Sequence, residues 1–306
     1  MKKTSFITMI CMLAALLGGQ LQAENASVES KKYNLSACAL FKDEAPYLRE
    51  WLEYHKMLGV DHFYLYNNDS TDNYYEVLRP YIEEGVVTLV NWPTRAGKKT
   101  DEEPFLYALT THVPAYENCS KWLSKDETKW LTFLSVDEYL LPLYASSLTA
   151  LLEKYDEFPG IALSSNCYDA YSFDQFSGKS LLIESVDLTA APKEHSMLTM
   201  EKCIFKPDQA TMFHWPNYKQ IFKGNCYAAQ VDRSDLRVNR YVHRYKGYLD
   251  FAREKESLCI DHRLLTEKEA DQILADGYQI QDHEKAIYRF LPSLRNRMGY
   301  QVAWNW

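Results

Sequence analysis

LSACALFKDEAPYLREWLEYHKML, residues 35–58, is the stretch that decides the fold class. Leu35 to Phe41 is an apolar run of strand length, and residues 42–44 form a polar turn. Pro46 suits the first turn of a helix, because the amide proton that it lacks has no partner there. Apolar side chains then recur at helical spacing as far as Leu58, and Gly59 follows as a C-terminal cap. The stretch therefore predicts a buried strand that leads directly into a helix.

The same alternation of strand and helix continues to residue 134. Further strands are predicted at residues 63–66, 86–90 and 129–134, and further helices over residues 74–81 and 105–119. Strands separated by helices of this length are typical of β-α-β units and a mostly parallel sheet. The predicted fold class is α/β, with a Rossmann-like central sheet flanked by helices. Ligands bind such sheets beyond the carboxyl ends of the strands, where polar loops follow Phe41, Tyr66 and Leu134.

Beyond about residue 155 the pattern becomes irregular. Short apolar runs alternate with polar and aromatic loops, and a last helical region is predicted over residues 266–292. No linker interrupts this part of the chain. We therefore expect a single domain over residues 33–306, in which a regular first half carries the predicted ligand-binding edge and an irregular second half follows.

The N-terminus has the pattern of a signal peptide over residues 1–23. Lys2 and Lys3 precede an apolar run at residues 6–17, and Ala23 is a small residue of the kind that precedes cleavage. The run is shorter than the roughly 20 apolar residues of a membrane span. We expect export to the periplasm, a secretory lumen or the medium, and no stable span after cleavage. An uncleaved membrane anchor is the less favoured alternative.

Residues 24–32 (ENASVESKK) are polar and are predicted to be a disordered linker. Cleavage would remove Cys11 and leave six of the seven cysteines. An exported protein permits disulfides, and no C-x-x-C pair indicates a zinc site. The net charge of −8 argues against binding to nucleic acid. The 23 tyrosines suit contacts with sugars, although packing alone explains most tyrosines in proteins.

Asp137 and Glu138 follow a predicted strand that is rich in apolar and aromatic residues. A carboxylate at the end of a buried strand is costly unless it is paired, hydrated or bound to a metal. A hard divalent cation prefers oxygen ligands and can neutralise a departing diphosphate. The alternative reading is a solvated turn acid or a helix N-cap.

Several blocks of the chain, in order, resemble glycosyltransferase family 92. The first is the run from Cys38 to His55, which continues through an S-T-D loop at residues 70–72. WLTFLSVDEY at residues 130–139, KCIFKP at residues 202–207 and the segment around His243 are similar to later blocks. The resemblance implies a GT-A fold, a nucleotide-sugar donor such as UDP-galactose, and a divalent cation, usually Mn²⁺. With it, the first half of the domain is expected to bind the nucleotide, and the irregular second half is expected to lie on the acceptor side.

The resemblance also implies roles for single residues. In that family the fourth strand ends in a D-x-D-E-F-like motif, in which Asp137 matches the second acid and Ser135 stands in place of the first. Asp137 and His243 are the implied metal ligands, and Ser135 can reach the donor ribose. Because a Ser hydroxyl binds metal weakly, metal affinity is expected to be reduced, or activity lost.

Other residues are expected at the nucleotide and the acceptor. Glu44, Asn67, Asp72 and Lys246 are the predicted nucleotide contacts, although the residues of the 67–72 loop can equally serve as turn and helix caps. The predicted general base is Asp174, with Asp169 and Glu184 as other candidates. Lys202 and Lys206 could bind phosphate or could simply be solvated, and His214 is a second candidate beside His243.

The leading hypothesis is the transfer of a hexose, with galactose as the first candidate, to a hydroxyl of a glycan or glycoconjugate. Inversion of configuration is expected. The alternative is a non-catalytic carbohydrate-binding protein on a GT-A fold, which Ser135 and the irregular segment at His243 favour. A metal-dependent phosphotransferase is a weaker reading, because the chain has no phosphate-cradling Gly-rich loop.

Overall fold

The computed structural model describes residues 30–93, 108–169, 181–185, 188–192, 202–214, 219–241, 259–260, 263–264, 278–283 and 285–300. The predicted signal peptide and residues 24–29 of the predicted linker lie outside these residues. The chain divides into two units, Met1–Lys32 and Tyr33–Trp306, and the description below concerns the second. Within the described part of the chain, no helix has the length and apolar character that crossing a membrane requires.

Sixteen strands are described. They are β1 (Tyr33–Phe41), β2 (His62–Asn67), β3 (Val87–Asn91), β4 (Thr128–Phe133), β5 (Glu138–Pro142), β6 (Gly160–Leu163), β7 (Ser165–Asp169), β8 (Leu188–Pro192), β9 (Lys202–Phe205), β10 (Ala210–His214), β11 (Lys219–Phe222), β12 (Ala229–Gln230), β13 (Leu236–Tyr241), β14 (Cys259–Ile260), β15 (Arg263–Leu264) and β16 (Tyr278–His283).

The described α-helices are α1 (Ala45–Met57), α2 (Tyr74–Glu83), α3 (Val113–Asn118), α4 (Leu148–Glu153), α5 (Leu182–Ser185) and α6 (Leu291–Met298). Helix α3 lies between two π-helical turns, Ala108–His112 and Cys119–Leu123. Short 3₁₀ turns are present at Lys223–Asn225 and Ala286–Phe290.

The central sheet has seven strands in the order β12-β6-β9-β4-β1-β2-β3. Strands β4, β1, β2 and β3 run parallel to one another, and β12 is parallel to β6. Only β9 among these strands is antiparallel to its neighbours β4 and β6. The predicted α/β class with a mostly parallel central sheet is therefore confirmed, including the strand and helix order of the first half.

A second sheet of five strands, in the order β16-β8-β7-β13-β5, was not predicted. It shows that the irregular second half of the sequence contains paired strands. The helical region predicted over residues 266–292 is wrong at Tyr278–His283, which is strand β16 paired antiparallel with β8. Pairing with a distant strand prevailed there over the local pattern, since strand preference depends on context. Helix α6 begins only at Leu291.

Strand β1 shows how the central sheet buries both of its faces. Side chains alternate along a strand, so Leu35, Ala37 and Ala39 point to one side while Cys38 and Leu40 point to the other. The first three join the large core that helices α1, α2 and α4 cover. The other two join a smaller core beneath α3 and the π turn after it. The continuous apolar pattern of β1 follows from burial on both faces.

Candidate active site

The predicted binding edge is formed by the carboxyl ends of β1, β2 and β4. Phe41 at the end of β1 lies opposite Asn67 at the end of β2, which in turn lies opposite Asn91. The Leu134 amide donates to the carbonyl oxygen of Cys38 at 3.0 Å, which keeps the chain after β4 alongside β1. The three polar loops singled out from the sequence therefore begin at one edge of the sheet.

The loops after β1 and β2 are tied together by Asp43. Its Oδ1 accepts hydrogen bonds from the Thr71 amide at 2.6 Å and the Asp72 amide at 3.3 Å, while its own amide donates to Ser70 Oγ at 3.0 Å. Asp43 has a φ of 54°, in the left-handed region that Asp and Asn tolerate better than most residues. The turn therefore depends on both the side chain and the backbone of Asp43.

Asp72, a predicted nucleotide contact, receives hydrogen bonds at the starts of two helices. Its Oδ2 accepts from the Ala45 amide at 2.8 Å and its Oδ1 accepts from the Tyr74 amide at 3.2 Å. These are amides of the first turns of α1 and α2, which have no partner within their own helix. The capping alternative holds for Asp72, and its nucleotide contact stays a prediction.

Asn67 and Glu44, the other predicted nucleotide contacts in this region, also have roles in the loops. Asn67 is buried, its Oδ1 accepts from the Ser70 amide at 3.0 Å, and its Nδ2 donates to the Tyr74 hydroxyl at 2.9 Å. Glu44 is half-buried, and its carbonyl oxygen accepts from the Tyr47 amide at 2.9 Å at the start of α1. The pair lies at the predicted edge, with much of the Asn67 amide engaged in the loop.

The segment from Ser135 to Glu138 folds into a tight turn between β4 and β5. The Glu138 amide donates to the Ser135 carbonyl at 3.0 Å, and the Ser135 amide donates to Glu138 Oε2 at 2.8 Å. The Asp137 carbonyl accepts from the Tyr241 amide on β13 at 2.9 Å. Glu138 thus closes the turn that presents Asp137, and Ser135 stays partly exposed beside it.

Two acids and two bases meet at this turn. Glu138 Oε2 lies 2.7 Å from Lys202 Nζ, and both side chains are almost fully buried. Arg240 Nε lies 3.7 Å from Asp137 Oδ2 and 3.9 Å from Glu138 Oε1. The two basic side chains offset part of the free-energy cost of burying the two carboxylates. The idea that Lys202 is solvated is wrong, because β9 places it inside the protein beside β4.

Asp137 differs from Glu138 because one of its carboxylate oxygens has no hydrogen-bond partner among the described residues. Its Oδ1 is buried and makes no hydrogen bond with any described residue. A buried acceptor without a partner is costly and indicates a missing ligand, such as a cation or a hydrogen-bond donor. Asp137 therefore fits the predicted part of a metal ligand, whereas Glu138 is already engaged by Lys202 and the Ser135 amide.

The described residues contain no cluster of three or more His, Cys, Asp or Glu side chains that could hold a metal ion. His243, the second predicted ligand, lies outside the described residues, as do Lys246 and the predicted base Asp174. Their roles stay predictions. Of the predicted metal pair, Asp137 alone lies among the described residues, and its role as a metal ligand stays a prediction as well.

Helix α1 fixes the backbone that follows Asp137. The indole of Trp51 donates to the Glu138 carbonyl at 2.9 Å, and the Tyr54 hydroxyl donates to the Leu140 carbonyl at 2.8 Å. His55 Nε2 accepts from the Leu140 amide at 3.3 Å, and its Nδ1 bonds to the Trp51 carbonyl at 2.8 Å. Burial lowers the pKa of His55 to about 4, so the ring is neutral and can accept this bond.

The remaining candidates lie apart from Asp137 or engage other groups. Glu184, one candidate for the base, forms an ion pair with Arg295 of α6. Lys206 pairs with Asp156 at 3.1 Å. For Asp169 and His214 the structure describes the backbone only, within β7 and β10.

Sequence reasoning missed two groups that shape this site. Arg240 was not singled out, because a single basic residue in a β-strand carries no local signal. Trp51, Tyr54 and His55 were recognised only as an apolar helix face. Their spacing of three and four residues put the polar tips of three aromatic rings on one side, which is the signal that could have revealed them.

Comparison of the sequence with known protein families identifies the family of this chain. The profile of glycosyltransferase family 92 matches residues 31–274. The chain belongs to glycosyltransferase family 92. The family prediction is thus confirmed, and the matched residues include the whole edge formed by β1, β2 and β4 as well as the Asp137 turn.

Plant members of family 92 are similar over most of this chain. A family 92 protein of Ricinus communis is 30% identical over 227 residues, which are 70% of this chain and 36% of the relative. One of Arabidopsis thaliana is 29% identical over 246 residues, or 76% and 39%. A galactan β-1,4-galactosyltransferase of Arabidopsis thaliana is 29% identical over 140 residues, or 44% and 26%. The matches span less than two fifths of these relatives.

Proposed function

We propose that this family 92 protein transfers a hexose from a nucleotide diphosphate sugar to a hydroxyl of a glycan or glycoconjugate. The observation that carries the proposal is Asp137 Oδ1, a buried oxygen without a partner among the described residues, at the sheet edge where such folds bind ligands. Galactose is the first donor sugar to test, because one relative is named a galactan β-1,4-galactosyltransferase. UDP-galactose is therefore the proposed donor, and inversion is the proposed stereochemical outcome.

In this proposal Asp137 holds a divalent cation, Mn²⁺ first, together with His243. The bound cation would supply positive charge to the diphosphate as the sugar leaves. The protein's own part is to position Asp137: Glu138 closes the turn, Lys202 neutralises Glu138, and Trp51 holds the backbone beyond it. Arg240, near both acids, limits the repulsion between them.

The loops after β1 and β2 would receive the nucleoside. Ser135, Asn67 and Glu44 are the proposed contacts at this edge, with Lys246 on the diphosphate. Asp174 is the proposed base for the acceptor hydroxyl. Since the protein is proposed to act on exported or luminal glycans, it would need a compartment that supplies nucleotide sugar.

The test is transfer and hydrolysis of UDP-galactose and other UDP-hexoses, measured with Mn²⁺ and with chelator. Asp137→Asn keeps the shape of the side chain and removes its charge, so we expect turnover to fall by at least about 100-fold. Asp156→Asn is the matched control, because Asp156 is a half-exposed carboxylate paired with Lys129 at the opposite end of β4. It should retain wild-type turnover.

Two results would contradict this proposal. Absence of turnover with every nucleotide sugar in the panel, together with no thermal shift from UDP, would exclude the proposal. Equal loss of turnover in Asp156→Asn and Asp137→Asn would remove the special role of Asp137.

A second candidate function is glycan binding without catalysis. The observation that favours it is Ser135 in place of the first acid, beside a Glu138 that is already engaged. Glycan binding that survives both chelator and Asp137→Asn, in a protein without turnover, would support this function. A glycan affinity that falls in step with UDP binding would instead support the transferase.

A further inference from the structure

Two buried thiols lie on the face of the central sheet opposite α1. Cys38 belongs to β1, and Cys119 begins the π turn that follows α3. Both side chains are fully buried in the smaller core, and both are reduced thiols in this structure. Neither thiol takes part in the described contacts of the Asp137 turn or of the loops at the sheet edge.

The register of the sheet places Cys38 under the helical segment. Cys38 lies opposite Tyr64 on β2 and opposite Phe133 on β4. The Tyr116 ring of α3 stacks on Phe133, with ring centroids 4.4 Å apart and planes 8° apart. This contact holds α3 against the β4 side of Cys38.

The β2 side of the segment is held as well. The Tyr66 hydroxyl donates to Asn118 Oδ1 at 2.8 Å, one residue before Cys119. The Tyr64 hydroxyl donates to the Leu123 carbonyl at 3.4 Å, at the end of the π turn. The segment is thus fixed on both sides of Cys38, with Cys119 between the two anchors.

The two thiols are neighbours in the smaller core. Burial raises the pKa of the Cys38 thiol, and the Cys119 thiol raises it further. Tyr66 is affected by the same pair: burial first, and then the neighbouring Cys119 and Cys38 thiols, raises the pKa of its hydroxyl. A disulfide needs its two sulfurs to come within ~2.05 Å of each other, and the two anchors hold the segment of Cys119 across the strand that carries Cys38.

We propose that Cys38 and Cys119 form a disulfide when the chain folds in an oxidising environment, and that the dithiol form is its reduced counterpart. Each thiol loses a proton, and the pair gives two electrons to a disulfide oxidant such as oxidised glutathione, which becomes two thiols. A mixed disulfide forms first on one cysteine, and the other thiolate then displaces the glutathione sulfur. Because both thiols are fully buried in the native fold, the bond forms before the core closes.

The bond would join β1 to the helical segment across 119 − 38 = 81 positions of sequence. The closed loop contains α1, β2, α2, β3 and α3, so a large part of the unfolded chain would be restrained. This inference concerns the redox state of the core and does not depend on the proposed transfer reaction. It also links the compartment in which the protein folds to a covalent feature of the protein.

The experiment refolds the full chain from denaturant in a glutathione redox buffer and, in parallel, in excess dithiothreitol. Non-reducing peptide mass spectrometry should find the Cys38 and Cys119 peptides linked only in the oxidised sample. The oxidised protein should melt about 5–10 °C above the reduced one. Alkylation of both cysteines in oxidised, denatured protein, or a link from either to another cysteine, would overturn the proposal.

Cys203→Ala is the matched control, since Cys203 belongs to the same core and its thiol lies 3.7 Å from the Ile204 carbonyl. It should retain the linked peptide and the difference in melting temperature between oxidised and reduced protein. Cys38→Ala and Cys119→Ala should lose both. The wild-type comparison decides the question by itself should either alanine variant fail to fold.

Discussion

Asp137 and Glu138 are neighbours in sequence but perform different tasks in the structure. Glu138 receives Lys202 and the Ser135 amide and so sets the shape of the turn. Asp137 keeps a buried oxygen without a partner among the described residues. Glu138 is therefore structural in its contacts, and Asp137 is the residue that can bind a ligand.

Lys202→Met provides a test of the buried pair. It leaves the Glu138 carboxylate buried and short of its closest cation, so we expect a loss of about 3–5 kcal/mol in the free energy of unfolding. Chemical denaturation measures the loss. The double variant Lys202→Met/Glu138→Gln should recover part of it, because no uncompensated charge then remains.

Lys121→Met is the matched control for that variant. Lys121 forms a 3.0 Å ion pair with Glu117, but both side chains are well exposed. We expect a loss of no more than about 0.5 kcal/mol. Equal losses for Lys121→Met and Lys202→Met would show that burial of the Glu138 pair has no energetic weight.

At the scale of elements, the turns after β1 and β2 act as one unit. Asp43 bonds to the backbone of the second turn, and Asp72 bonds to the first turns of both α1 and α2. We therefore expect that disruption of one turn also disturbs the other. This edge of the sheet is thus held by reciprocal carboxylate–amide contacts.

Asp72→Ala removes two capping contacts at once. We expect a loss of about 1–3 kcal/mol in stability, because two helix-terminal amides lose their acceptor. UDP affinity should fall as well, since the loop proposed to receive the nucleoside loses its anchor. Thermal denaturation and UDP titration measure the two effects, and unchanged stability would contradict the capping role.

Asp72→Asn is the companion variant. It keeps one acceptor oxygen, so it should lose less stability than Asp72→Ala. A weaker UDP affinity in Asp72→Asn at near wild-type stability would separate a direct nucleotide contact from the capping role.

The contact between α1 and β5 is a second place where side chains of one element hold the backbone of another. Trp51→Phe keeps the ring in the core but leaves the Glu138 carbonyl without its 2.9 Å donor. We expect a loss of about 1–3 kcal/mol and reduced turnover at saturating substrate, because the backbone next to Asp137 becomes less fixed. Tyr54→Phe, which affects Leu140 two residues farther on, should cost similar stability with a smaller effect on turnover.

For the whole molecule, two buried groups in α1 make stability depend on pH in opposite directions. Burial lowers the pKa of His55 from 6.5 to about 4. Between these two pH values the imidazole is protonated in the unfolded chain but stays neutral in the folded protein. The stability that neutral His55 provides is therefore present above pH 6.5 and is lost as pH falls through 4. The full effect is about 3 kcal/mol.

Glu50 makes stability depend on pH in the direction opposite to His55. Its carboxylate accepts from the Leu182 and Ile183 amides at 2.7 and 3.1 Å, and burial raises its pKa to about 7. Because the folded pKa exceeds the ordinary value of 4.5, its contribution is present below pH 4.5 and is lost as pH rises through 7.

Urea denaturation from pH 4 to pH 8 measures both contributions. His55→Gln should flatten the loss of stability on the acid side, and Glu50→Gln should remove the loss between pH 4.5 and 7. A pH profile that neither variant changes would contradict the assignment of these groups.

The sequence by itself determined the family, the α/β class and the order of elements through β4. Local signals were sufficient there, because hydrophobic periodicity, Pro46 and the positive-φ position of Gly59 act within a few residues. The polar loops at one sheet edge also followed, since parallel strands bring their carboxyl ends together.

Only the tertiary structure decided how those loops are held and which acid has an oxygen left for a ligand. Lys202 is 202 − 138 = 64 residues from Glu138, and most pairings in the second sheet join strands that lie still farther apart in sequence. Strand pairing and burial at such distances leave no periodic pattern in the chain, because they depend on which elements pack together. The sequence therefore indicated Asp137 and Glu138 alike, and the fold separated their roles.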